Sequence, residues 1–177
     1  MPRFLISACL LGIGCTYSGR PNRAWEQGYK ELIEAGEKEG FLFFPICPEQ
    51  LGGLPTPRAP AEIDVLNSDE TRGIWRVVTF DGIDVTNNFL LGAAETLRLS
   101  TVLRIGGAIL KDKSPSCGIG LIHKGSFDGS LVPGNGISAS FLKKGGVPIF
   151  SNSEFFNSWK KTSGFGFLPE ALLNRKT

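Results

Sequence analysis

Short apolar runs alternating with longer amphipathic segments limit what this chain can fold into more than any other feature. "RFLISACLLG" (3–12), "FLFFPIC" (41–47), "TVLRIGGAIL" (101–110) and "VPIFS" (147–151) read as strands buried on both faces. "NRAWEQGYKELIEAGEKEG" (22–40) places Trp25, Tyr29, Leu32 and Ile33 at helical spacing, with Asn22 as N-cap and Gly40 as stop. "DVTNNFLLGAAETLRLS" (84–100) gives a helix capped by Asp84 or Thr86, with Phe89, Leu90, Ala93, Ala94 and Leu97 on one face. "GNGISASFLKKGG" predicts a short helix ending at Gly145, and "NSEFFNSWKK" (152–161) a last one capped by Ser151 or Asn152. "WRVVTFDGIDVT" (75–86) reads as an extended segment closed by an Asp-Gly turn. This alternation predicts an α/β fold of three layers, a mostly parallel, Rossmann-like sheet with helices on both faces. At 177 residues the expectation is a single domain, 1–177, with its core at about 3–160 and the tail 161–177 packed over the body.

In such a sheet, ligands bind in the crevice beyond the carboxyl ends of the strands. The chain has four cysteines. Cys9 and Cys15 lie at and just after the end of the first predicted strand, Cys47 ends the second, and Cys117 follows the third. A parallel sheet therefore puts them at one edge. A net charge of +2 with both signs interspersed excludes a clustered basic stripe, so no tight nucleic-acid partner is expected. The longest apolar run, "FLFFPICP", is far short of a membrane span, and "MPRFLISACLLG" reads as a buried first strand of a cytoplasmic protein. A disulfide framework does not suit a chain of this size without an export signal. With His123 as the single histidine, a Ser–His–Asp triad or a His-rich zinc site would have to rest on that one residue.

Each cysteine sits in constrained backbone. Gly12 and Gly14 lie between Cys9 and Cys15; Pro48 follows Cys47; Cys117 stands between Pro115 and Gly118 in "SPSCG". Proline and glycine at such positions aim a side chain. Several thiols from separate loops leave an iron–sulfur cluster, zinc and no metal all open, although there is no CxxC pair of the kind structural zinc and dithiol redox sites draw on.

"SACLLGIGCTYSG", "CPEQLGGLPTPRAPAEI", "DVTNNFLLGA" and "ILKDKSPSCG…GSFDG" resemble the signature segments of a bacterial family, long catalogued as a domain of unknown function, that includes thiouracil desulfidase. The resemblance spans about Phe4 to Ile149. It implies a cytoplasmic enzyme with a 4Fe–4S cluster held by three cysteines, leaving one iron open and the cluster easily lost in air. It also implies a small thiocarbonyl substrate of the 2-thiouracil kind, whose sulfur is replaced by oxygen without net redox change. Taken with the strand ends, it makes Cys9, Cys47 and Cys117 the expected cluster ligands and Cys15, on a longer loop, the spare. Glu49, two residues from Cys47, is the candidate acid/base, the alternative being a carboxylate that bonds a loop amide or Arg58. Ser114 and Ser116, beside Cys117, are candidate hydrogen-bonding groups toward substrate or cluster sulfur. Lys111 and Lys113 offset cluster charge or face solvent, Arg58 and Glu62 are expected to pair and stiffen their loop, and His123 is expected to be an ordinary strand or loop residue. A homodimer is the candidate assembly. The competing readings are a cluster-free persulfide sulfurtransferase and a zinc-stabilised binding module.

Overall fold

The computed structural model describes residues 1–173. Four parallel strands form the central sheet: β1 (Arg3–Ser7), β2 (Leu42–Ile46), β5 (Gly107–Leu110) and β8 (Ile149–Ser151), in the order β2-β1-β5-β8. The α/β expectation with a mostly parallel sheet is borne out. Pro45 sits in β2, an edge strand, where its missing amide costs no ladder bond. The chain leaves β1 toward β2 on one side and later returns through β5 to β8 on the other. The order therefore reverses between β1 and β5, and the crevice of such sheets opens at that point.

Strand alternation assigns the two faces. Phe4, Ile6 and Ile109 point into one core, with Leu32 and Ile33 of helix α1 (Lys30–Lys38), Phe155 of α5 (Asn152–Thr162), and Phe165, Leu168 and Leu172 of the C-terminal segment. Leu5, Ala108 and Leu110 point into the other, against Leu97 of α3 (Thr86–Val102) and Ala139 and Leu142 of α4 (Ile137–Lys144). A third, smaller core joins two antiparallel ribbons to α3 through Ile63, Val77, Phe89 and Ile122. The ribbons are β3 (Ala61–Ile63) with β4 (Val77–Thr79), and β6 (Leu121–His123) with β7 (Leu131–Pro133). No helix among the described residues is long and apolar enough to cross a membrane.

Three sequence expectations are corrected. The helix expected from Asn22 begins only at Lys30, because Gly28 takes a backbone φ of +115° that an α-helix cannot contain. Asn22 caps a turn instead, its Oδ1 accepting from the Ala24 amide at 2.9 Å. The strand expected at 101–110 is confined to Gly107–Leu110, since α3 runs on to Val102. Thr96 and Ser100 donate their hydroxyls to the carbonyls of Gly92 and Leu97, each at 2.7 Å, so these polar residues sit within the helix without unsatisfied groups. At the start of α3, Val85 is the cap residue; Asp84 takes the Thr86 amide at 2.9 Å while Thr86 turns its hydroxyl to accept from Val77 N. The remaining caps match: Ser151 accepts from the Glu154 amide at 3.3 Å and Gly145 ends α4.

One contact fixes the element that carries Cys47 and Glu49. The short helix α2 (Pro48–Leu51) lies against α3 at glycines: a Cβ on Gly92 would strike the carbonyl of Pro48, and one on Gly52 the carbonyl of Asn88. Only glycine permits this approach. Gly92→Ala is expected to push α2 outward at about 1–3 kcal/mol of stability. Because Pro48 precedes Glu49, the same change should lower kcat; urea unfolding and turnover measured on one preparation test both effects.

Candidate functional site

The carboxyl ends of β1, β2 and β5 converge on a cavity of about 440 Å³ lined by Cys9, Cys15, Cys47 and Cys117. That volume suits a small ligand. Cys9 lies in a single 3₁₀ turn after β1, closed by Gly12 in the left-handed region at φ +76°. Cys47 ends β2 as the residue before α2, and Cys117 sits in the loop after β5. All four cysteines are free thiols, as a chain without a disulfide framework requires. The shared edge read from the sequence is present.

Cys15 is not remote. The Cys47 thiol donates to the Cys15 carbonyl at 3.7 Å, and Cys9, Cys15 and Cys47 line the same cavity. The nearby Cys47 thiol pulls the Cys15 thiol down, but Cys9 beside it and burial outweigh that and push Cys15 up to about 11. Cys47 is raised as donor to Cys15 and by burial. Cys117, fully enclosed, is pushed up to about 12 by burial; the Ser7 hydroxyl opposes this, and the charges of Glu49 and Cys47 add to it. These thiols resist ionising until a cation shares the cavity, so metal uptake there releases protons.

A folded value raised above 9.0 means that the stability conferred by the neutral, buried Cys117 thiol is complete below about pH 9 and is lost as pH climbs toward about 12. Urea midpoints of metal-free protein should therefore fall across that interval, and Cys117→Ala should flatten the fall.

The acid/base candidate is held firmly. Arg58 grips Glu49 Oε2 with Nη2 at 2.6 Å and Nε at 2.8 Å, and both side chains are largely buried. Ser116 donates its hydroxyl to Glu49 Oε1 at 3.1 Å. Arg58 also bonds the Cys15 carbonyl at 3.1 Å through Nη2, and its backbone amide bonds the Tyr17 carbonyl at 2.8 Å. This one arginine therefore ties the Cys15 loop to the Glu49 helix. The expected Arg58–Glu62 pair is corrected: Glu62 instead accepts from the amides of Gly125 and Phe127, both at 3.0 Å, and faces His123. Ser114 lines the cavity while its Oγ accepts from the amides of Ser116 and Cys117, each at 3.2 Å. Ser116 is buried, and its contact is Glu49. Lys111 and Lys113 both line the cavity.

Two cavity residues escaped the sequence reading. Ser7, the last residue of β1, accepts from the Lys111 amide at 3.0 Å, latching the two central strand ends together. Its signal was its place two residues before Cys9. His123 lines the cavity from β6, and a three-residue ribbon strand offers no pattern that would have placed it there.

Among the described residues, no three Cys, His, Asp or Glu side chains gather as the ligands of one metal ion. Thiols spread around a roomy cavity fit a polynuclear cluster, whose irons each take their own thiolate, better than a tetrahedral zinc. The cations Arg58, Lys111 and Lys113 on the same walls suit an anionic cluster.

Comparison with known proteins agrees with this geometry. Over residues 4–154 the chain matches the family model described as 2-thiouracil desulfurase. It is 40% identical over 156 residues to the uncharacterized protein YbbK of Bacillus subtilis (strain 168), spanning 85% of this chain and 95% of that protein. Among solved structures, the [4Fe-4S]-dependent thiouracil desulfidase TudS (DUF523Vcz) superposes with a TM-score of 0.74 at 36% identity, covering 92% of this chain and 99% of that one. The chain belongs to the 2-thiouracil desulfurase family.

Proposed function

We propose that this protein is an iron–sulfur-dependent desulfidase that replaces the sulfur of a small, 2-thiouracil-like thiocarbonyl compound with oxygen. The observation that carries this reading is the convergence of four free thiols with the Arg58-held Glu49 on one cavity at the switch point of the sheet. Cys9, Cys47 and Cys117 are the proposed holders of a 4Fe–4S cluster, each from a different strand end. Bound there, a cluster with one iron free of protein ligand supplies Lewis acidity toward sulfur.

The chain's own residues then account for the proton traffic. The net change is C=S plus water giving C=O plus hydrogen sulfide, so no electrons are exchanged. Glu49, fixed by Arg58 and Ser116, accepts a proton from the attacking water and returns it to the departing sulfur. Ser114, on the cavity wall, is placed to orient the substrate. Moving the same sulfur onto a cysteine as a persulfide would instead require a two-electron oxidant, which disfavours the sulfurtransferase alternative.

The test is anaerobic purification and reconstitution, followed by metal and sulfide analysis and incubation with 2-thiouracil. A brown protein with roughly four irons and four inorganic sulfides per chain, releasing uracil and sulfide in equal amounts, is the expected result. A colourless protein with one zinc per chain and no turnover overturns the reading.

A further inference from the structure

Thiols and Glu49 account for one end of the cavity; His123 and Glu62 stand on its ribbon wall without a part in that chemistry. His123 ends β6, and its neighbour Ile122 bridges to Lys113 in the loop leading to Cys117, which ties the imidazole to the sheet end. Its Nδ1 is buried and has no hydrogen-bond partner among the described residues. Glu62 Oε1 lies 3.8 Å from it, short of a hydrogen bond. Glu62 Oε2 is already taken by the amides of Gly125 and Phe127, which pins the carboxylate and leaves Oε1 for the ring. The His123 side chain is 34% exposed although Nδ1 is not, and it lines the cavity.

A buried Nδ1 facing a fixed carboxylate selects the tautomer with its proton on Nδ1 and a lone pair on Nε2. We propose that His123, oriented by Glu62, binds the ring N–H beside the thiocarbonyl, and so selects cyclic thioureides that carry such an N–H over N-alkylated ones. The inference rests on the desulfidase reading and adds the recognition that reading lacks. Nε2 accepts the N–H while the adjacent C=S points toward the thiols. Glu62 is a positioning residue here; His123 touches the substrate.

Because His123 is the single histidine, labelling histidine with ¹³C and ¹⁵N gives one imidazole spin system. Reconstituted holoprotein is titrated anaerobically with uracil and separately with 1,3-dimethyluracil, which has no ring N–H. A saturable Nε2 shift with uracil and none with the dimethyl compound is expected. His123→Phe should raise KM for 2-thiouracil roughly 3- to 10-fold, with kcat within about two-fold and iron content unchanged, and His123→Gln should recover part of the loss. An imidazole signal unmoved by saturating uracil, in protein that turns over 2-thiouracil, overturns the proposal and leaves the desulfidase reading intact. A uracil shift in cluster-loaded protein that turns over no 2-thiouracil does the reverse.

Discussion

Cys117→Ala is expected to give a colourless, folded protein with iron well below one per chain after reconstitution and turnover at background. Cys117 is fully enclosed and reaches the cavity from the loop after β5, whereas Cys9, Cys15 and Cys47 come from the segments after β1 and β2. Removing it takes away the thiol on the β5 side of the crevice. The fold should survive, because alanine fills most of the space of a thiol whose neighbours include Ile46 and Ala139. Thermal unfolding by circular dichroism of metal-free wild type and variant checks that point. Cys15→Ala is the companion: with Cys9, Cys47 and Cys117 as ligands, it should keep its iron and colour. If Cys15→Ala bleaches the protein and Cys117→Ala does not, the ligand assignment is wrong and Cys9, Cys15 and Cys47 form the set.

Glu49→Gln is expected to lower kcat by roughly 10²- to 10⁴-fold, the range of a positioned general acid/base, with the cluster's absorbance unchanged. Glutamine keeps the shape and can still bond Ser116 and Arg58, but it cannot take a proton from water. The change also leaves the enclosed Arg58 guanidinium without its counter-charge, since the side chain is only 7% exposed. Breaking a buried pair by deleting one partner costs up to about 3–5 kcal/mol. Activity must therefore be measured well below the unfolding midpoint. A kcat within about three-fold of wild type, with iron retained, would show that Glu49 is only the clamp that holds Arg58 against the Cys15 loop.

The sheet and its thiol edge were legible because they rest on strong signals: four apolar runs, three of them followed closely by cysteine, and helical spacing between them. What escaped was decided by tertiary contact. Thr101 and Val102 are β-branched and follow an apolar run, yet they finish a helix whose polar residues are satisfied by bonding back to its own carbonyls. For Arg58 the sequence offered both Glu49 and Glu62, and only tertiary contact decides between them. Glu62 is nearer in sequence, but the "GGLPTPR" loop folds back on α2 and presents the arginine to Glu49. The ribbons carry strands of three residues each, too short for a period to register, so His123 and Glu62 read as unremarkable. Cys15 was judged by loop length, and loop length does not reveal that Arg58 draws its carbonyl inward.

The two ribbons have a consequence for how such an enzyme diversifies. The thiols and Glu49 belong to the strand ends and to a helix locked by Gly52 and Gly92, whereas Glu62 and His123 belong to ribbons with a small core of their own around Ile63, Val77 and Ile122. On the proposed reading, reactivity and selectivity fall to different elements, joined to each other through α3 and the Ile122–Lys113 bridge. Substitutions in the ribbon wall are therefore expected to alter which heterocycle is admitted more than they alter the thiols and Glu49. An exchange of ribbon residues between relatives is accordingly the economical route to a new substrate.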